Sequence, residues 1–162
     1  MSFDFNSLDH EHFMREALKE AELSLQDGER PIGAVIVHDN KVIGRGRAQH
    51  LARKSEVAHA EINAILQAEQ YLCENTHGDC VIYSTVQPCV MCLGAIVMAN
   101  IDNVVYGLED NWIKPREMLN IDYVRAHIRN YVGGVLAEES VKLWQRSSWD
   151  EIFLLQEGKQ HE

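Results

Sequence analysis

Cys89 and Cys92 stand three residues apart behind Pro88 in "STVQPCVMCLGAI", residues 84–96, in a chain with four cysteines. Three chemistries fit such a pair: a redox couple, half of a structural zinc knot, or two ligands of a catalytic metal. If the pair opens a helix, thiols at i and i+3 share one side of its first turn. The helix N-terminus then favours the thiolate that a metal requires. His59, in "HAE" at 59–61, offers a neutral imidazole nitrogen. One His and two Cys suit zinc, and three protein ligands leave a fourth position for water. Glu61 lies two residues beyond His59, where a carboxylate can stand beside that water without joining the ligand set. Zinc lowers the pKa of such a water to about 7, so a neighbouring carboxylate can take its proton and pass it to a leaving amine.

A structural site would want a fourth Cys or His close by. Cys73 and Cys80 are the other cysteines, and at a helix end and a strand start they read as ordinary packing residues. The redox reading holds only until His59 is counted. The remaining histidines have no ligand spacing among themselves, and His50 and His127 stand as candidate pocket residues. Taken as one pattern, H-x-E followed by P-C-x-x-C is the signature of zinc deaminases that act on nucleobases.

These residues need elements to hold them. Phe13, Ala17, Leu18, Ala21 and Leu25 recur at helical spacing between Asp9, a plausible N-cap, and Gly28, a stop. "IGAVIVHDNKVIGRG" reads as a hairpin, with a strand over Gly33 to Val37, a turn at Asp39-Asn40 and a second strand around Val42 and Ile43. Ala58 to Leu72 reads as a helix with Ile62, Ile65 and Leu66 on its buried face. A strand at 80–86, a helix from Pro88 to about Ala99 and a buried strand at 103–107 follow. A strand near Tyr131-Val132, a helix from Leu136 to Arg146 and a last turn or helix in "SSWDEIFLL" complete the pattern. Strands alternating with helices argue for a partly parallel sheet with helices on its faces, an α/β domain. We expect one domain over residues 1–162.

The sequence starts without the basic n-region and apolar run of a signal peptide. No apolar run approaches the roughly 20 residues that span a bilayer, so no membrane partner is expected and a cytoplasmic location is. The formal charge is −10, and basic residues are scattered except in "GRGRAQHLARK" at 44–54. That balance suits a small substrate better than a large polyanion.

"HAEINAI" and "QPCVMCLGAIVMANIDNVVYG", behind "PIGAVIVHDNKVIGRG", resemble the cytidine and deoxycytidylate deaminase superfamily. Within it they are similar to the branch of tRNA adenosine deaminases, fungal-type cytosine deaminases and bacterial guanine deaminases. The resemblance runs from the first helix to about Gly107, and more loosely to the C-terminal helix. It implies a three-layer α/β/α fold with a five-stranded mixed sheet, assembly as a homodimer, zinc on His59, Cys89 and Cys92, and Glu61 as proton shuttle.

Departures from that branch bear on the substrate. The tRNA adenosine and fungal cytosine enzymes carry an Asn, in contact with the base, where this chain has Ala48. "LEDNWIKPREML" replaces the Asp-x-Lys-x-Gly-Ala loop of the tRNA enzymes, and Gln87 replaces the usual Glu before Pro-Cys. Trp112 falls where fungal cytosine deaminases close an aromatic over the base, and "SSWDE" resembles their C-terminal cap. A base needs an aromatic wall and an acceptor for its exocyclic amine, which Trp112, Trp149 and Asp150 can supply. The expectation is therefore a zinc-dependent hydrolytic deaminase of a free nucleobase or related amino-heterocycle, cytosine- or guanine-type, or else of a nucleoside. The alternatives are a tRNA-specific adenosine deaminase, with nucleic acid as substrate, and a non-catalytic zinc-binding module.

Overall fold

A computed structural model describes residues 2–75 and 78–158. Asp9 caps the first helix, its carboxylate accepting from the His12 amide at 3.0 Å. That helix, α1 (His10–Gln26), buries Phe13, Met14, Ala17, Ala21 and Ser24. The strands β1 (Gly33–His38) and β2 (Lys41–Arg47) form the expected antiparallel hairpin. Its turn residues Asp39 and Asn40 both take left-handed backbone, φ 49° and 58°, which matches the twist of the flanking strands. A single turn, α2 (His50–Arg53), leads to α3 (Ala60–Glu74). Then come β3 (Val81–Val86), α4 (Val90–Met98), β4 (Asn103–Leu108), α5 (Asp122–His127), β5 (Asn130–Val132), α6 (Ala137–Arg146) and α7 (Ile152–Glu157).

The five strands lie in the order β2-β1-β3-β4-β5, with β1 antiparallel to both neighbours and β3, β4 and β5 parallel. Alternation along each strand divides the core. Ala34, Ile36, Ile82, Val104 and Tyr106 meet Ala60, Ala64, Leu93 and Ile96 of α3 and α4 on one face. Val35, Val37, Val81, Tyr83 and Val105 meet Phe13, Met14 and Ala17 of α1, with Leu136 ahead of α6, on the other. The result is a three-layer α/β/α sandwich around a five-stranded mixed sheet. Among the described residues no helix is long and apolar enough to cross a membrane.

The buried face of α3 differs from the expected one. Leu66 is exposed and Ile62 and Ile65 are half-buried, while Ala60, Ala64, Ala68 and Leu72 face the sheet. The reason lies on β2. A Cβ on Gly46 would sit 2.1 Å from the Ala60 carbonyl oxygen, and one on Gly44 2.7 Å from that of Ala64. Two glycines on the strand and three alanines on the helix bring the backbones together, so Leu66 is turned outward while half-buried Ile65 packs at the edge of the same core.

The topology gathers one end of the sheet. The start of β1 pairs with the ends of β2 and β3, as in Gly33 with Arg47 and Ala34 with Ser84. Because β4 runs parallel to β3, its carboxyl end lies there too. The segments 30–32, 48–50, 87–89 and 109–113 therefore meet at a single rim.

Candidate functional site

At that rim the two motifs open two helices. His59 and Cys89 are the N-cap residues of α3 and α4, both in extended backbone. Glu61 and Cys92 follow inside their helices, so four side chains converge from two adjacent N-termini. The His59 Nδ1 atom lies 3.6 Å from Cys89 Sγ and 3.4 Å from Cys92 Sγ. All three ligand atoms fall within 4.8 Å of one another, and Glu61 is not part of that group. A tetrahedral ion with Zn–S and Zn–N bonds of the usual length would separate such atoms by about 3.6 Å, so the donor set fits zinc in both chemistry and spacing.

The electrostatics suit a cation. A hydrogen bond with Cys92, together with His59, pulls the Cys89 thiol down to about 4, and Cys92 is held up because the two sulfurs share a proton. The interaction with Cys89 raises His59. Glu61 is only 4 % exposed, and burial pushes its carboxyl group upward. The Ser84 hydroxyl of β3 donates to Glu61 Oε1 at 2.9 Å and fixes it in place.

Beside these groups lies a cavity of about 390 Å³. His59, Glu61 and Cys89 form part of its wall, and Ala48, His50, Gln87, Asp110 and Trp112 extend it around the rim. The C-terminal segment covers another side with Trp144, Glu151 and Leu155. Ala48 is fully buried and presents a methyl group. The His50 ring lies 4.9 Å from that of His59, and burial holds its pKa down. Trp112 stands at the mouth, 42 % exposed.

Gln87 explains its own departure from the family pattern. Its Oε1 accepts from the Asp110 amide at 2.9 Å and its Nε2 donates to the Tyr131 hydroxyl at 2.7 Å, tying β3 to the 110 loop and to β5. Asp110 in turn accepts from the Trp112 and Ile113 amides at 2.9 and 2.8 Å, which sets the conformation of the loop carrying Trp112.

Several sequence candidates lie elsewhere. His127 ends α5 and donates from Nδ1 to the Tyr123 carbonyl at 2.7 Å, away from the cavity wall. Trp149 and Asp150 are also outside the wall. The Trp149 indole donates to the Gly28 carbonyl at 3.1 Å, and Asp150 is exposed. Trp144 and Glu151 occupy the places those two were expected to fill. Glu151 gave no signal, because it precedes α7 in an irregular turn whose facing a periodicity does not set, whereas Trp144 shares the buried face of α6 with Ser140 and Leu143, where helical spacing marks it. Arg30 was missed as well, although it flanks Pro31 at the start of β1. Cys73 is exposed at the end of α3 and Cys80 buried before β3. Half of the basic stretch is neutralised within the molecule: Arg45 pairs with Glu16 at 2.6 Å and Arg47 with Asp27 at 3.3 Å, while Arg53 and Lys54 are exposed.

A family model described as MafB19-like deaminase matches residues 8–138. A tRNA-specific adenosine deaminase of Streptococcus pyogenes serotype M18 is 47 % identical over 96 residues, 59 % of this chain and 60 % of that protein. The chain thus spans less than two thirds of the length of this relative. tRNA-specific adenosine deaminase 2 of Xenopus tropicalis is 32 % identical over 145 residues, 82 % of this chain and 85 % of that one. A structure solved in a study of A-to-I editing by tRNA:A34 deaminases at the wobble position of transfer RNA matches with TM-score 0.72 and 33 % identity, over 82 % of this chain and 98 % of that chain. Guanine deaminase from Bacillus subtilis matches with TM-score 0.56 and 36 % identity, over 62 % of this chain and 64 % of its own.

These relatives overturn the expectation of a free nucleobase or amino-heterocycle as substrate, since the tRNA adenosine enzymes match at up to 47 % identity and, at 32–33 % identity, over 82 % of this chain. The expectation leaned on net charge and on a few departures. Net charge sums over every face, including those that never meet a substrate.

Proposed function

Because the chain belongs to the MafB19-like deaminase family, within the cytidine deaminase-like superfamily, we propose that it is a zinc-dependent tRNA adenosine deaminase, converting adenosine to inosine with release of ammonia. The named relatives support the substrate, and the chemistry rests on one observation: two sulfurs and an imidazole nitrogen within 4.8 Å, beside a buried carboxylate outside their group.

His59, Cys89 and Cys92 would hold the zinc. When bound, the ion supplies a Lewis acid that makes a water proton available near neutral pH. Glu61 takes the proton from the water that adds to the amine-bearing ring carbon, then returns it to the departing amine. Burial suits it to both tasks, since a raised carboxyl pKa brings its charged and neutral forms closer in energy near neutrality. Ser84 keeps the carboxylate aimed through both proton transfers. The apolar wall of Ile32, Val86, Ile113, Trp144 and Leu155 accepts the face of a base taken out of its stack and excludes competing water.

We also take residues 1–162 as one catalytic domain that pairs as a homodimer; Val90 and Met98 on α4, 50 % and 70 % exposed, offer it an apolar face. The test is Glu61→Ala in the zinc-loaded protein. We expect metal content and fold to be retained while inosine formation in an anticodon stem-loop drops by about 10²–10⁴-fold. Unchanged turnover would remove Glu61 from the mechanism. Bound zinc with no turnover in the parent protein would favour a non-catalytic module.

A further inference from the structure

The strand β2 is an open edge of the sheet, and a second groove, of about 450 Å³, runs along it between α1 and α3. An open edge invites another extended chain to pair with its outward N–H and C=O groups. On β2 those groups already have partners. The Arg45 amide donates to Gln67 Oε1 at 2.6 Å, and the Arg47 carbonyl accepts from Asn63 Nδ2 at 2.8 Å. Two side chains of α3 thus cap the backbone where an added peptide strand would pair. What the groove offers instead is side chains.

Three of these are arginines, and they differ in how far they are satisfied. Arg45 is balanced by Glu16 at 2.6 Å and by Glu20, the acid among the lining residues, at 3.7 Å. Arg47 is held at one corner: Nη2 meets the exposed Asp27 at 3.3 Å, while Nε is buried and finds no hydrogen-bond partner among the described residues. Arg53 is exposed, and its Nε donates to the neutral side chain of Gln49 at 3.0 Å. A guanidinium N–H without an acceptor is costly when buried, and the planar fork of donors matches the oxygens of a phosphate.

The place of the groove indicates which phosphate. Along residues 47–50 the side chains alternate, Arg47 and Gln49 lining the groove while Ala48 and His50 line the catalytic cavity. One short segment is therefore a wall common to both. A nucleotide within a strand stays joined to phosphodiesters on both sides when its base enters the cavity. A strand that leaves the cavity over this segment brings one of those phosphates to Arg47 and Arg53.

We propose that the groove along β2 binds a backbone phosphate of the RNA strand, next to the nucleotide whose base enters the cavity, through Arg47 and Arg53. This rests on the RNA reading of the substrate and adds to it a second binding site outside the catalytic cavity. Gln49 orients the Arg53 guanidinium, and the caps from Asn63 and Gln67 keep the edge from pairing with a peptide strand.

The test measures binding of anticodon stem-loops to zinc-loaded Glu61→Ala protein, so that no turnover intervenes. Each loop phosphate in turn is replaced by an uncharged methylphosphonate. We expect one linkage flanking the target adenosine at which neutralisation weakens binding by about threefold to tenfold. Adding Arg47→Gln and Arg53→Gln should weaken binding of the unmodified loop and lower the slope of log Kd against log salt by about one. In that variant the methylphosphonate at the same linkage should cause no further loss, because the contact it removes is already gone. An identical linkage-by-linkage pattern with and without the two arginines, at unchanged melting temperature, would overturn the assignment. Should Arg47→Gln lower the melting temperature, Arg53→Gln alone, on an exposed side chain, decides by the same comparison. If no loop binds the parent Glu61→Ala protein, the RNA reading itself fails, and the ligand assigned to the groove fails with it.

Discussion

Glu61 shows how one buried side chain is tuned by its neighbours. Desolvation raises its carboxyl pKa, and the Ser84 hydroxyl opposes that rise by stabilising the charged form. Removing the hydroxyl in Ser84→Ala must therefore raise the pKa further. As Glu61 has to be ionised to take a proton, the acidic limb of the kcat profile should move to higher pH, with kcat on the plateau falling by roughly threefold to tenfold. A profile that does not move would separate Ser84 from the proton transfer. At this scale the sequence was informative where chemistry is local. His59, Glu61, Cys89 and Cys92 sit in short motifs at helix starts, where spacing alone fixes which side chains share a side. Trp149 and Asp150 lie outside the cavity wall, which Trp144 reaches from α6 and Glu151 from the turn ahead of α7.

The element that matters most for the site is α3, because it carries both His59 and Glu61 and is held against β2 by backbone proximity rather than by large side chains. A methyl group on Gly46 would meet the Ala60 carbonyl oxygen at 2.1 Å and the Ala64 nitrogen at 2.3 Å. Neither is the end of a flexible side chain, so Gly46→Ala should push the start of α3 away from the sheet. The expected cost is about 1–3 kcal/mol or more in urea denaturation, accompanied by weakened zinc retention. Full stability with normal zinc affinity would show that α3 has slack that the packing does not suggest. The helices and strands themselves were legible from apolar period and from turn residues such as Asp39-Asn40. The outward facing of Leu66 was not, because alanine and glycine read as weak hydrophobes in a pattern while deciding how closely a helix and a strand approach.

For the whole molecule, the charge of −10 and an RNA substrate have to be reconciled. Arg45 and Arg47 are occupied by Glu16 and Asp27, which leaves Arg53 and Lys54, exposed at the end of α2, as a short cationic edge. An acidic body with a short basic edge calls for few phosphate contacts. With two or three of them, kcat/KM for a stem-loop should fall roughly tenfold between 50 and 200 mM salt, and Arg53→Ala with Lys54→Ala should flatten that slope. A salt-independent rate would place the RNA backbone away from this edge. The central claim, that the catalytic centre serves an adenosine within RNA, is tested most directly by comparing kcat/KM of the zinc-loaded protein for an anticodon stem-loop with that for free cytosine, guanine and adenosine under identical conditions. Inosine appearing in the stem-loop at a kcat/KM well above that for any free base or nucleoside is the predicted result. Turnover of a free base with the stem-loop untouched would contradict it.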